Sequence, residues 1–168
     1  MMKRKIIPFI LIVSTILSFV SCKKENRVEY CELGIILPEE FAPYDSEGSF
    51  NTAYSDGKSI VGITRYSFVE CDELGLVTSL TPYKFAGVYL EMLDRQVDTP
   101  VIEHGDVPYF TYTVSKEDGS QYFYMPTFYR TPYAYFVITF ITPKSREGVG
   151  RAEFLEYVST VYILSEYL

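Results

Sequence analysis

The first apolar stretch of the chain, Ile6–Val20 (IIPFILIVSTILSFV), follows a basic head, Met1–Lys5 (MMKRK), and ends at Ser21 before Cys22. Its 15 residues fall short of the roughly 20 that cross a hydrocarbon core. A charged head, a short apolar run interrupted by Pro8 and a small residue at the cut describe a removable signal peptide over residues 1–21. Residues 22–29 (CKKENRVE) are mostly polar and read as a tether, with residues 30–168 forming one α+β domain. Loss of the leader leaves 147 residues, enough for one domain with its own core.

Within that domain the apolar pattern changes period. Val28–Leu37 reads as a strand that Pro38 ends, and Glu39–Phe50 as an irregular acidic loop. Asn51–Tyr54 and Ser59–Phe68 read as strands joined by Ser55-Asp56-Gly57-Lys58, where Asp-Gly favours a tight hairpin turn. Glu70–Ser79, which contains Cys71, reads as a loop. A helix starts near Thr81 as N-cap with Pro82 in its first position, and Phe85, Val88, Tyr89 and Met92 make its apolar face. Three strands follow at Val107–Ser115, Ser120–Tyr129 and Tyr133–Thr142, and a closing helix at about Gly150–Leu164 has Phe154, Leu155, Val158, Val161 and Tyr162 inward.

The last strands determine the expected architecture. An antiparallel sheet with one wet face alternates apolar and polar residues. Here Phe136, Ile138 and Phe140 point one way while Tyr135, Val137 and Ile141 point the other. A sheet apolar on both sides needs a cover on both sides, and two helices can supply one each. The expected fold is therefore α+β, an antiparallel β-sheet sandwiched between α-helices.

Two resemblances add to this reading. Phe19-Val20-Ser21-Cys22 resembles the lipobox of bacterial lipoproteins, which implies that Cys22 is acylated and becomes the first residue. Two acyl chains hold a membrane firmly where one holds it marginally. Separately, Leu33–Pro38, the Ser55-Asp56-Gly57 hairpin, Gly105–Tyr112, Tyr133–Phe140 and Phe154–Val161 resemble the PsbP-like family. That family includes an extrinsic subunit of photosystem II, a Ran-binding protein and many bacterial lipoproteins of unknown function. The resemblance implies a sheet between helices and a binding or assembly role more often than an enzymatic one. It carries over no catalytic or contact residue.

Charge narrows the partners. Without Lys3, Arg4 and Lys5 the chain keeps 12 basic against 22 acidic residues, a net of −10. Such a surface repels phosphate backbones, so no nucleic-acid partner is expected. Attachment to a membrane then rests on the lipid at Cys22. The expected location is extracytoplasmic, in the periplasm or on the cell surface. In that oxidising compartment Cys31 and Cys71 can either form a disulfide or stay as two buried thiols.

Candidate chemistry is sparse. His104 is the only histidine, and no Gly-x-Ser-x-Gly presents a nucleophile. Scattered His, Cys and carboxylates suit no metal site, and no cofactor is expected. Asp45-Ser46-Glu47-Gly48 lacks the spacing of a calcium loop. Gly148-Val149-Gly150, with Lys144, Arg146 and Arg151, is a weak anion-site pattern ahead of a helix. Tyrosine is the enriched type, with sixteen in the chain and seven between Tyr109 and Tyr135. Tyr122, Tyr124, Tyr133 and Tyr135 are the candidate binding surface, because a ring with a polar tip suits a half-wet contact. The alternative is that these rings lie under the helices and stiffen the sheet. The expected function is a non-enzymatic envelope module for an unknown protein or small-molecule partner. The alternative is an envelope hydrolase with a diffuse carboxylate site.

Overall fold

The computed structural model describes residues 24–167; the expected signal peptide and Cys22 lie outside the described residues. In chain order the elements are β1 (Glu25–Tyr30), β2 (Leu33–Pro38), β3 (Ala42–Pro43), β4 (Thr52–Ser55), β5 (Ile60–Ser67), α1 (Phe68–Glu73) and α2 (Pro82–Leu93). They continue as β6 (Thr99–His104), β7 (Val107–Ser115), β8 (Gln121–Arg130), β9 (Ala134–Pro143), α3 (Glu147–Val158) and β10 (Tyr162–Ile163). Seven strands pair in the order β3-β4-β5-β9-β8-β7-β6, and three form a smaller sheet, β1-β2-β10. Every pairing is antiparallel.

Strand β9 lies at the centre of the large sheet and is buried from Ala134 to Thr142. Its two faces feed two cores. Tyr135 and Val137 pack with Phe85 of α2, Cys71 of α1, and Phe110 and Phe128 of the neighbouring strands. Phe136, Ile138 and Phe140 pack instead against Phe154 and Val158 of α3 and against Val28, Leu33, Ile35 and Leu37 of the small sheet. The chain is thus an α+β sandwich, as the two-sided apolar pattern predicts. Each buried aromatic or branched side chain contributes roughly 1.5–3 kcal/mol, so both covers are needed to hold this strand dry.

Helix α2 starts as expected, with Thr81 Oγ1 accepting from the Lys84 N–H at 3.3 Å and Pro82 in the first position. Its inner face is rotated from the expected one. Phe85 and Ala86 are buried while Met92 is exposed, because Tyr89, Leu90 and Leu93 take the lower turns.

Several expectations are corrected. Val28–Leu37 is not one strand but a hairpin that turns at Cys31-Glu32, where Cys31 adopts a φ of 51°. Glu25–Glu29, expected within the tether, belongs to β1 and pairs with β2. The loop at Glu70–Ser79 begins inside α1, whose N-cap Ser67 forms a capping box with Glu70. The closing helix ends at Val158, after which Thr160 Oγ1 donates to the Ile36 carbonyl at 2.9 Å and the chain turns to pair β10 with β2. The edge strand β6 falls where the sequence, with Pro100 and Glu103, carries no strand pattern.

In the structure Cys31 and Cys71 are both free thiols. Cys71 is buried in α1 and turned toward the Tyr66 carbonyl, 3.8 Å away, whereas Cys31 is exposed at the tip of the β1–β2 hairpin. Burial raises the pKa of the Cys71 thiol, which further lowers its reactivity.

One ion pair joins the two sheets. Arg65 of β5 donates through Nε to Glu32 Oε2 at 2.9 Å and through a terminal nitrogen to Glu32 Oε1 at 2.6 Å. Glu32 is 4% exposed, and the Arg65 guanidinium lies 6.0 Å from the Phe136 ring centre. The same Glu32 accepts the Leu164 N–H on its backbone carbonyl at 3.0 Å. The bidentate bond to Arg65 holds the Glu32 carboxyl below its ordinary pKa, with burial acting against it.

Two outcomes follow for measurement. Because the folded-state pKa of Glu32 is lowered, its stabilisation is complete above the ordinary carboxylate value of about 4.3. It is lost as pH falls through the lower folded value. Glu32→Gln should therefore cost roughly 3 kcal/mol at pH 7, the low end for a buried pair that loses one partner. The deficit should shrink in acid, as read from urea midpoints across pH 2–7. Native alkylation of a Cys22→Ala chain should label Cys31 alone, with Cys71 reacting only after denaturation. Intact mass checks this, and a product lighter by two hydrogens with no label would show the bridge instead.

Candidate functional site

The four candidate tyrosines do not form one surface. Tyr135 is fully buried: its ring stacks on Phe85 at 4.1 Å, and its hydroxyl accepts from the Leu80 N–H at 2.8 Å. That hydroxyl lies 3.1 Å from the carbonyls of both Val77 and Leu80, either of which it can donate to. Tyr135 thus pins the α1–α2 connection to the sheet and is removed from the binding surface. Tyr133 is exposed in the β8–β9 turn, edge-on to Tyr167 at 6.2 Å. Tyr122 and Tyr124 lie at the opposite end of the strands, where Tyr122 pairs with Pro143 and Tyr124 with Ile141.

At that end the helix-covered face of the sheet runs out from under α2. Tyr124 is half-buried against the edge of the core and stacks on Tyr112 at 5.0 Å and 17°; burial raises the pKa of its hydroxyl. Tyr122 is half-buried, outside that core, with the Lys116 ammonium 4.6 Å from its ring centre. A groove of about 280 Å³ opens beside it, floored by Ile60 and Ile141 and walled by Tyr44, Tyr122, Pro143 and the Gly57-Lys58 turn. Tyr44 is 46% exposed and is held in place by its N–H to the Ala53 carbonyl at 2.8 Å.

The groove has a firm base. Asp56 Oδ1 accepts the backbone N–H groups of Lys58 and Ser59 at 2.8 and 2.6 Å, which sets the β4–β5 turn. Buried Ser59 reaches Thr142 Oγ1 at 3.3 Å, and Phe50 packs on Gly62, where a Cβ would strike its ring. These contacts hold the hairpin against β9 and the long loop before it against β5. Tyr44 could not be singled out from the sequence, since the acidic stretch around it shows no period; an aromatic residue in a loop with no core face was the available signal.

Around the far side of the same hairpin lies a polar cleft of about 400 Å³, lined in part by Glu39, Glu40, Asp56, Arg146, Glu153 and Tyr157. It concentrates the carboxylates that a hydrolase would require. Glu39 pairs with Lys24 at 3.5 Å, Glu153 with Arg146 at 3.6 Å, and Asp56 is committed to its turn. Tyr157 is pushed up to about 12, first by burial and then by Glu153 and Asp56, so its hydroxyl stays protonated and can only donate or accept a hydrogen bond. Glu39, Glu153 and Asp56 are thus compensated by cations or by the backbone, whereas Glu40 has no such partner among the described residues.

The remaining candidates are structural. His104 ends β6 beside the Gly105 turn, exposed and paired with Val107. Asp45 Oδ1 accepts the Glu47 N–H at 2.9 Å within its own loop. Around the first turn of α3, Lys144 and Arg151 both pair with Glu147, at 2.6 and 2.8 Å. Among the described residues no group of three His, Cys, Asp or Glu is placed to hold a metal ion.

No protein-family model matches the chain, and no curated protein matches it. Solved structures do. A crystal structure from Bacteroides thetaiotaomicron superposes with a TM-score of 0.54 at 14% identity over 80% of this chain, which spans 46% of that one. The Ran-binding protein Mog1p of Saccharomyces cerevisiae gives 0.52 at 10% identity, covering 84% of this chain and 96% of its own. Cyanobacterial PsbP (CyanoP) from Synechocystis gives 0.43 at 10% identity, covering 87% and 96%. With its helices on both sides of one antiparallel sheet, the chain shares the fold of Mog1p.

Proposed function

We propose that this protein is an exported envelope lipoprotein, anchored through Cys22, whose domain binds a partner without covalent chemistry. The observation that carries the binding role is the Tyr44–Tyr122 groove, where an aromatic sheet face emerges from under its covering helix onto a braced hairpin. At about 280 Å³ it is at the small end for a ligand pocket. It suits one or two inserted rings, from a protein side chain or a small molecule. That Mog1p is a Ran-binding protein supports the reading only in that this fold can carry a partner surface.

The anchor supplies a location for the groove. Only Lys23 and Lys24 separate Cys22 from β1, a reach of about 10 Å when extended. Lys24 lines the polar cleft together with Lys58, and Lys58 also lines the groove. The end of the sheet that carries the groove is therefore the end nearest the bilayer. A partner held in the same membrane gains effective concentration there.

Cys22→Ala should abolish incorporation of labelled fatty acid and leave a precursor of full length. Undiminished label on the variant would overturn the anchor. Cross-linking in the native envelope should recover an adduct from a photoreactive residue placed at Tyr122 and lose it in Tyr44→Ser. Equal adduct yields with and without Tyr44 would remove the groove from the binding role while leaving the anchor untouched.

A further inference from the structure

The opposite end of the large sheet is built differently. Four of the nine large apolar side chains exposed among the described residues collect there: Val69 at 71%, Leu74 at 65%, and Val77 and Tyr133 at 55% each. Hydrogen bonds place them together. The Phe68 N–H donates to the Tyr133 carbonyl at 2.9 Å, and Arg130 at the end of β8 donates to the Thr78 carbonyl at 3.3 Å. The buried Tyr135 hydroxyl holds Val77 and Leu80 from below. Singly scattered exposed apolar residues are ordinary on a protein surface. Four on one braced end, on α1, the α1–α2 connection and one turn, make a patch of the kind that marks a contact.

Its rim is acidic. From Tyr66 to Tyr83 the sequence holds Glu70, Asp72 and Glu73 and no lysine or arginine. All three acids are exposed on α1, as is Glu166 beside the Tyr167 ring that meets Tyr133. Arg130, exposed at the end of β8, keeps its guanidinium over the Phe68 ring, 5.1 Å from its centre, while Arg65, the base that acts on Glu70, is bonded to Glu32. A second copy docking face to face would bring like charges together, and an anionic bilayer would be repelled for the same reason. The occupant that fits both features carries the opposite charge around an apolar centre.

We propose that this end of the sheet is a docking surface for a protein segment whose apolar side chains are flanked by lysine or arginine. Val69, Leu74, Val77 and Tyr133 supply the apolar contact, and Asp72 and Glu73 select for the basic flanks and speed encounter. The site is independent of the groove, which lies at the far end of β9.

A displayed random-peptide library selected on the full-length chain in mild detergent tests this directly. The enriched peptides should interleave Leu, Ile or aromatic residues with Lys or Arg. A synthesised consensus peptide, followed by fluorescence anisotropy, should lose at least about tenfold in affinity against Leu74→Ser/Tyr133→Ser. It should lose about fivefold against Asp72→Asn/Glu73→Gln, weaken with added salt, and be unchanged against Tyr122→Ser. The four substituted patch side chains are exposed and Tyr122 is half-buried, and unchanged thermal midpoints check that each variant is folded. Failure to enrich any consensus, a consensus without basic residues, or binding indifferent to the two patch variants would overturn the proposal. So would flotation of the Cys22→Ala chain with neutral phosphatidylcholine vesicles that Leu74→Ser/Tyr133→Ser abolishes, since the patch would then be a lipid contact.

Discussion

The fold is governed by the need to keep a strand dry on both faces. Strand β9 has no polar side to offer water: nine consecutive residues are buried, and the three threonines among its neighbours and itself that face inward are paired or packed. Once such a strand is central, the chain must supply a cover above and below it. It does so with unlike materials. One face receives an aromatic layer under α2, in which Phe85, Phe110, Phe128 and Tyr135 meet by stacking and edge contacts. The other receives α3 and the small sheet. The covers are shorter than the strands, and the places where they stop are where surface chemistry begins.

That geometry separates the molecule into two ends with different character. At one, the β4–β5 hairpin is tied to β9 through Ser59 and Thr142, the loop before it is bonded to β4 and β5, and rings at the surface stand beside lysines. At the other, α1 and the β8–β9 turn show aliphatic side chains among carboxylates. The ion pair between Glu32 and Arg65 lies toward this second end and joins the small sheet to the large one, so it supports the scaffold on which both surfaces are displayed.

Much of the scaffold was legible because its signals are local. Asp56-Gly57 between alternating runs, Thr81-Pro82 before a helical period, and the doubly apolar β7–β9 segment each carry a turn, a cap or a burial demand in adjacent residues. What was missed depends on distant partners or on unmarked chemistry. The Cys31-Glu32 turn has neither Gly nor Pro, and its shape is stabilised by Arg65, more than thirty positions away. Strand β6 exists because β7 pairs with it, not because Thr99–His104 prefers to be extended. Helix α1 did carry a signal, Ser67-x-x-Glu70, overshadowed by the acidic and glycine-containing residues after it. For the tyrosines, enrichment was visible, but composition could not say which rings the helices cover; Tyr135 and Tyr133, two residues apart, fall on opposite sides of that line.

The small sheet imposes an order of events on the chain. Its middle strand, β2, takes one neighbour from the residues before it and the other from the last turn of the sequence, where Tyr162 pairs with Gly34 and lays its ring where a Cβ would otherwise stand. A chain emerging from its N-terminus can form the β1–β2 hairpin early, yet that hairpin presents an open edge until nearly every later residue has arrived. Pairing across such a separation is entropically costly and slow. The lower cover of β9 is therefore closed only when Tyr162 and Ile163 reach the free edge of β2.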